Sequence, residues 1–166
     1  MKIVYNNTEV ISGTNLTPLQ THSEPKVEYN TNPNKLYTLI MHDPDAVVGN
    51  YLHWVVINIP GNAISNGQQL LNYKGPAPPQ GSGIHRYIFL VFEQAERINA
   101  QNIPESKRAM SLDALYGLLN AALHLNSTAY FTSEHEKSGG RKRKRNDKSS
   151  KTKKRKVRRK KGTRNR

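Results

Sequence analysis

The chain has 166 residues, of which 26 are Lys or Arg and 12 are Asp or Glu, and it contains no cysteine. A chain of this length has room for one domain with a single hydrophobic core. The absence of thiols excludes a disulfide framework and any thiolate metal or redox site, and it favours a reducing, intracellular compartment. No apolar run approaches the roughly 18 residues of a membrane-spanning helix, and the first residues lack the apolar segment of a secretory signal. We therefore expect a protein that is soluble or attached to membranes only peripherally.

The positive charge is concentrated at the C-terminal end of the chain. Residues 1–138 contain 9 Lys and Arg against 11 Asp and Glu, a net charge of −2, whereas residues 139–166 contain 17 against 1, a net charge of +16. The basic segment has a single aliphatic side chain, Val157. It cannot bury enough apolar area to offset the entropy lost on ordering. We predict a globular domain at residues 1–137 and a disordered Lys/Arg-rich tail at residues 138–166.

Apolar stretches of strand length predict a buried sheet. They lie at residues 36–41, 53–59 and 87–92, separated by segments rich in Pro, Gly and Asn. Their nearly continuous apolar character predicts strands that are covered on both faces. Weaker and more polar strand signals at residues 2–5, 9–12 and 26–29 are typical of edge strands or of a second sheet.

A helix and a final strand are predicted near the end of the domain. Apolar side chains recur at helical spacing over residues 111–123, and Ser111 is placed as an N-cap. Residues 128–132 then predict a short closing strand. The predicted fold is mainly β: a central antiparallel or mixed sheet, packed with a second small sheet and a C-terminal helix, and followed by the disordered tail.

Polar side chains cluster at the ends of the predicted central strands. Asp43 follows the first strand, His53 opens the second, and His85 and Tyr87 open the third. If the second and third strands begin beside the point where the first ends, these side chains converge on one small pocket, with Tyr87 on the same face as His85. Two imidazole donors, a phenol hydroxyl and the N–H groups of a glycine-rich loop fit an oxyanion such as phosphate. The carboxylate keeps one imidazole protonated or oriented.

Two other interpretations of these residues stay open. Asp43 and Asp45 flank Pro44, and Asp-Pro-Asp is good turn chemistry without any ligand. Two histidines and one carboxylate also form a facial triad, which binds iron or zinc in metal-dependent enzymes. Tyr87 and the glycine-rich loop fit an anion better, and nothing else in the sequence supplies an activated nucleophile. We therefore expect a binding protein that is not an enzyme and has no cofactor or metal.

Three sequence blocks occur in a defined order along the domain. They are Leu-Tyr-Thr-Leu-Ile-Met-His-Asp-Pro-Asp-Ala at 36–46, His-Trp-Val-Val-Ile-Asn-Ile-Pro at 53–60 and Gly-Pro-Ala-Pro-Pro-Gln-Gly-Ser-Gly-Ile-His-Arg-Tyr at 75–87. These blocks resemble the signatures of the phosphatidylethanolamine-binding protein family, which includes the Raf kinase inhibitor proteins. The resemblance covers most of residues 9–136 and does not include the tail.

The resemblance implies an anion pocket and a choice of partners. The implied pocket residues are Asp43, His53, Gly75, Pro79, His85 and Tyr87. In the family this pocket receives phosphate-type anions or the headgroup of phosphatidylethanolamine, and some members inhibit protein kinases or proteases. The implied partners are therefore a phosphate-bearing small molecule or phosphatidylethanolamine, and a kinase or other phosphorylated protein.

The tail contains two basic clusters separated by a polar spacer. They comprise Arg141, Lys142, Arg143, Lys144, Arg145, Lys153, Lys154, Arg155, Lys156, Arg158, Arg159, Lys160 and Lys161. This pattern predicts a nuclear localisation signal, read by an import receptor, and the same charge binds nucleic acid without sequence preference. We predict a location in the nucleus or cytoplasm, or in a virion if the source is viral. The alternative is a peripheral phosphatidylethanolamine-binding protein held to an anionic membrane surface by its tail.

Overall fold

The computed structural model describes residues 1–136, and within them the chain forms two β-sheets and one α-helix. The strands are β1 (Lys2–Tyr5), β2 (Thr8–Glu9), β3 (Lys26–Glu28), β4 (Leu36–Asp43), β5 (Tyr51–Pro60), β6 (Gln68–Leu71), β7 (Ile84–Gln94) and β8 (Leu123–Glu134). The helix, α1, spans Leu112–Leu119, and short 3-10 helices lie at Ile64–Asn66 and Glu105–Lys107. No helix in the described residues is long and apolar enough to cross a bilayer.

The large sheet is antiparallel and has the strand order β6-β5-β4-β7-β8. The small sheet has the order β2-β1-β3 and is also antiparallel. The predicted central strands are confirmed as β4, β5 and β7, and the weaker N-terminal signals fall in or beside the small sheet. The mainly β prediction is therefore confirmed, with antiparallel pairing throughout the large sheet.

Two core clusters cover the two faces of the large sheet. On one face, Leu39, Trp54 and Phe89 pack with Ile3 and Val27 of the small sheet. On the other face, a second cluster joins the sheet to α1 and to the segment before it, and it contains Ile40, Leu52, Val55, Ile57, Leu70, Leu71, Phe92, Ile98, Ile103, Leu115 and Leu119. Burial on both faces explains why β4 and β5 consist almost entirely of apolar residues.

Helix α1 is shorter than the sequence pattern predicts. Its N-cap is Ser111, whose Oγ accepts a hydrogen bond from the N–H of Ala114 at 3.1 Å. It ends before Asn120, which adopts a left-handed conformation with φ 43°. The predicted extension to residue 123 was wrong, because Leu123 is the first residue of β8. Leu123 packs against the same core cluster as Leu119, so the apolar spacing continues across the helix end.

The last strand is longer than predicted and has a partly covered outer edge. β8 extends over 12 residues, where the sequence predicted five. The N–H of Gly13 donates to the carbonyl of Tyr130, and the N–H of Leu16 donates to the carbonyl of Thr132. Of the segment predicted as a strand at 9–12, only Glu9 lies in a strand, the two-residue β2, and the chain after it runs along this edge instead. Such a cover protects an edge strand from pairing with other chains.

The described part of the chain ends next to the loop that precedes β7. After β8, Nδ1 of His135 lies 3.3 Å from the carbonyl oxygen of Pro78. The tail predicted at residues 138–166, with its basic clusters, lies outside the described residues.

Candidate anion-binding site

The four polar residues predicted to converge lie around one cavity of about 240 Å³. Asp43 is the last residue of β4, and β5 and β7 flank β4 in antiparallel orientation, so both strands begin where β4 ends. Asp43 is paired with Tyr51, two residues before His53. His85 and Tyr87 lie two residues apart on β7 and share a face. The sheet topology therefore brings Asp43, His53, His85 and Tyr87 together.

A β-bulge turns His53 toward the cavity. Met41 is paired with Trp54 and His42 with Leu52, which leaves His53 as an extra residue without a partner on β4. Such an extra residue re-aims a side chain and frees backbone groups from the ladder. Buried Arg108 takes up the freed groups, since its Nη1 donates to the carbonyls of Leu52 and His53 at 3.0 and 3.1 Å. Arg108 thus stabilises the bulge by binding both of these carbonyls.

Asp43, His85 and Ser82 form a chain of hydrogen bonds at one side of the cavity. Nδ1 of His85 lies 2.7 Å from Oδ2 of Asp43, and Nε2 of His85 lies 2.8 Å from Oγ of Ser82. The Ser82 hydroxyl has one hydrogen and donates it to the carbonyl of Pro79 at 2.8 Å. The Asp43 carboxylate accepts from Nδ1, and Ser82 Oγ forms the second hydrogen bond of the ring, with Nε2. Both ring nitrogens of His85 are therefore engaged, which fixes the orientation of the ring.

The hydrogen bond and the burial of His53 define its protonation state. Its Nδ1 lies 2.7 Å from the carbonyl oxygen of Lys74, and a carbonyl oxygen can only accept, so Nδ1 carries the hydrogen. Burial lowers the pKa of His53 to about 4, despite the hydrogen bond to Lys74 and the nearby charge of Asp43, which both raise it. His53 is therefore neutral near pH 7. The sequence predicts two imidazole donors, whereas His53 presents an acceptor at Nε2.

Tyr87 forms the inner wall of the cavity. Its ring stacks on Phe131 with a centroid distance of 5.3 Å and meets the His53 ring edge-on at 5.1 Å. Burial raises the pKa of the Tyr87 phenol well above its usual value, so the hydroxyl keeps its hydrogen at any physiological pH. The hydroxyl lacks a hydrogen-bond partner within residues 1–136 and remains available as a donor to a ligand.

The Asp-Pro-Asp turn has two functions in the structure. Oδ1 of Asp43 accepts the N–H of Asp45 at 2.8 Å, which is the turn chemistry expected without a ligand. Oδ2 of the same carboxylate binds His85. Asp45 in turn forms a bidentate ion pair with Arg86, with two contacts of 2.8 Å, and these hydrogen bonds lower the pKa of Asp45 to about 2. Asp45 and Arg86 tie the end of β4 to the start of β7.

The wall opposite the strands comes from the 75–79 segment. A Cβ at Gly75 would lie 2.8 Å from the carbonyl oxygen of Thr21, so only glycine fits without a shift of the backbone. Lys74 carries a cation to the mouth, where its Nζ donates to the hydroxyl of Tyr51 at 2.8 Å. The remaining cavity-lining residues are mainly apolar, namely Ala46, Val48, Ala77, Pro78 and Pro79.

The geometry gives a metal little to bind. Both ring nitrogens of His85 are engaged, and Nδ1 of His53 is bound to the Lys74 carbonyl. Nε2 of His53 is the one imidazole nitrogen of this pair that lacks a partner in the described part of the chain. Within that part, no group of three or more His, Cys, Asp or Glu side chains is arranged to hold a metal ion.

The fold and the cavity agree with a comparison of sequences. Residues 6–130 match the family model described as phosphatidylethanolamine-binding protein. The chain belongs to the phosphatidylethanolamine-binding protein family. The resemblance inferred from the three sequence blocks is therefore confirmed.

Individual relatives of this phosphatidylethanolamine-binding protein family member differ in how much of their length it spans. It is 34% identical over 141 residues to Protein MOTHER of FT and TFL1 homolog 2 of Oryza sativa subsp. japonica, which covers 76% of the chain and 80% of the rice protein. It is 37% identical over 106 residues to Putative odorant-binding protein A5 of Drosophila melanogaster, which covers 60% of the chain. The chain spans about half of that relative, 50% of its length.

A solved structure shows the same fold. The phosphatidylethanolamine-binding protein from Plasmodium vivax superposes with a TM-score of 0.63 over 81% of this chain and 85% of that chain, at 20% identity.

The residues implied by the family resemblance all line the cavity of this phosphatidylethanolamine-binding protein family member. They are Asp43, His53, Gly75, Pro79, His85 and Tyr87. Sequence reasoning missed Lys74, Tyr51, Ser82 and Arg108. Lys74 acts on His53 through its backbone carbonyl, which any residue type supplies. The identity of the residue at position 74 therefore could not indicate this contact. Ser82 lies three residues before His85, and that spacing in a turn was the available signal.

Proposed function

We propose that this protein is a non-enzymatic binding protein whose cavity takes a phosphate-type anion, either a free phosphate compound or the phosphate group of a larger ligand. The observation that carries the proposal is the convergence of Asp43, His53, His85 and Tyr87 around one cavity of about 240 Å³. The hydroxyl of Tyr87 and the cation of Lys74 supply donors and charge for an anion. The mainly apolar rim leaves space for the organic part of an ester.

The charges around the cavity favour a ligand with a single negative charge. The Asp43 carboxylate is hydrogen-bonded to His85, and His53 is neutral near pH 7. Among the cavity-lining residues, Lys74 at the mouth supplies the cation for a ligand. The family description, phosphatidylethanolamine-binding protein, supports a phosphate-containing ligand and leaves open whether it is a lipid or a phosphorylated partner.

An NMR titration of the full chain with phosphorylethanolamine tests the cavity. High salt suppresses the contribution of the tail, because exposed charges are screened beyond a Debye length. We expect saturable shifts of the ring signals of His53 and His85 and of the backbone amides at 75–87. Tyr87→Phe should weaken binding, and His85→Ala should abolish it.

The matched control is His124→Ala, because His124 is exposed and lies outside the cavity. This variant should bind like the natural chain. The proposal fails if millimolar phosphorylethanolamine produces no saturable shift, or if His124→Ala weakens binding as much as Tyr87→Phe.

We further propose that the tail directs the protein to the nucleus, where it also contacts nucleic acid. The sequence Lys-Lys-Arg-Lys-Val at 153–157 supports import, because it matches a one-part nuclear localisation signal. Replacing the Lys and Arg residues of both basic clusters by Gln should abolish nuclear accumulation of a fluorescent fusion. The control is Lys107→Gln in the domain, where Lys107 is exposed. Unchanged nuclear accumulation of the cluster variant would refute the import role.

A further inference from the structure

The hydrogen bond of His53 fixes which kind of ligand group its ring can meet. Nδ1 donates to the carbonyl of Lys74 at 2.7 Å, and the N–H of Lys74 donates back to the carbonyl of His53 at 2.9 Å. These two bonds hold the ring in one orientation. Nε2 lies at the other side of the ring, has no partner within residues 1–136, and belongs to a side chain that lines the cavity.

The surroundings of His53 keep this nitrogen unprotonated. Burial is the main cause of its low pKa, and the cations of Arg108 and Lys74 act in the same direction. Asp43 on β4 opposes them, but its carboxylate is bound to His85. Tyr87 on β7 and Tyr51 at the start of β5 face the ring with centroid distances of 5.1 and 5.0 Å. An anion that enters the cavity therefore meets a lone pair at Nε2.

A lone pair repels an anion unless the ligand brings a hydrogen. In the singly charged form a phosphate monoester keeps one P–OH hydrogen and inorganic phosphate keeps two, and such a hydrogen can be donated to Nε2. Sulfate and phosphodiesters have no such hydrogen. They must first recruit a proton from water to His53, against the cost of charging a buried ring.

We propose that the cavity selects phosphate groups that retain a hydrogen, that is phosphomonoesters and inorganic phosphate, over sulfate and phosphodiesters. This selectivity rests on the proposed anion-binding function and makes it more specific. It favours a phosphorylated partner or metabolite over an intact phospholipid, whose phosphate is a diester. Nε2 of His53 accepts the ligand hydrogen, and the Tyr87 hydroxyl donates to another phosphate oxygen.

The proposal fixes the pH dependence of the selectivity. A monoester has a second pKa of about 6, so the singly charged form persists up to that pH and monoester affinity then falls about tenfold per pH unit. Sulfate affinity falls about tenfold per pH unit above the pKa of His53, which is about 4. The ratio of the two affinities therefore rises about a hundredfold between pH 4 and pH 6 and stays constant above pH 6.

Isothermal titration calorimetry of the full chain in buffers of different ionisation enthalpy tests this proposal. The probes are phosphorylethanolamine, glycerophosphoethanolamine and sulfate. Near pH 5 we expect monoester binding without proton uptake, and sulfate or diester binding, where it is measurable, with uptake of one proton by His53. The affinity ratio should follow the pH profile given above.

Two variants assign the effect to His53. His53→Gln replaces the ring by an amide that does not titrate, so the ratio of monoester to sulfate affinity should lose its rise between pH 4 and pH 6. His124→Gln, at an exposed histidine outside the cavity, should keep it. If His53→Gln does not fold, the proton uptake of the natural chain still decides the question.

Three results would overturn the proposal. A ratio of monoester to sulfate affinity that does not change with pH contradicts the selectivity and leaves anion binding intact. Diester binding as tight as monoester binding at pH 6, without proton uptake, contradicts it in favour of a phospholipid ligand. No binding of any of the three probes at any pH would refute the anion-binding function itself.

Discussion

At the scale of single residues, two histidines of one cavity have opposite roles. His85 is bound at both nitrogens, to Asp43 and Ser82, whereas His53 is neutral and has one open nitrogen. The sequence places both histidines at strand starts and predicts their convergence. It could not predict the protonation state of His53, because that depends on the backbone carbonyl of Lys74 rather than on any side-chain type.

Ser82, His85 and Asp43 have the connectivity of a Ser-His-Asp triad, but the serine hydroxyl has a second acceptor. In a serine hydrolase the imidazole accepts the serine hydrogen as a general base. Here the Ser82 hydroxyl also lies 2.8 Å from the carbonyl oxygen of Pro79, which competes with Nε2 of His85 for its single hydrogen. We infer that this competition opposes activation of the hydroxyl by His85.

We therefore predict that Ser82 does not react with a fluorophosphonate probe. Incubation of the full chain with the probe, followed by intact-mass analysis, should show no adduct, and Ser82→Ala should behave identically. A known serine hydrolase serves as the positive control. Stoichiometric labelling that Ser82→Ala abolishes would instead identify an acyl-transfer enzyme.

At the scale of secondary-structure elements, burial decides what the sequence reveals. β4 and β5 are covered on both faces and read as continuous apolar runs, so their positions are predictable. β6 contains Gln-Gln-Leu-Leu, which has neither β-branched residues nor alternation, and it was missed. The end of α1 was misplaced because Asn120 breaks the helix while Leu123 keeps the apolar spacing.

A buried polar network joins the three central strands at the end of the sheet away from the cavity. Oε1 of Gln94 on β7 accepts from the hydroxyl of Thr38 on β4 and from the N–H of Asn58 on β5, at 2.9 and 2.7 Å. Its Nε2 donates to Oδ1 of Asn58 at 2.9 Å. Asn58 has φ 57°, a conformation that asparagine tolerates better than most residues, and it sits at the second bulge of β5.

We expect Gln94→Ala to lower the free energy of unfolding by about 3 kcal/mol, because it leaves buried donors on Thr38 and Asn58 without an acceptor. Urea denaturation followed by circular dichroism measures the change. Gln80→Ala is the control, since Gln80 is exposed in the loop before β7. A loss below about 1 kcal/mol would mean that water replaces the missing amide.

At the scale of the whole molecule, the domain and the tail differ in charge and in what the sequence reveals about them. The domain has a net charge of −2, and its proposed function rests on a few residues that the fold brings together. The tail has a net charge of +16, and its proposed function rests on its composition. Composition is visible in a sequence, so the charge division needs no structure. The position of the tail relative to the cavity does need one, because it is set by the path of β8.

That path brings the last described residues to the wall of the cavity. β8 ends at Glu134, and His135 contacts the carbonyl of Pro78, one of the residues that line the cavity. If the basic segment binds a polyanion or a receptor, as we propose, we expect that partner to influence anion binding in the cavity. By thermodynamic linkage, an anion in the cavity would then change the affinity of the basic segment for that partner by the same factor. The cavity and the basic segment would then be coupled sites in one thermodynamic cycle, joined through the contact between His135 and Pro78.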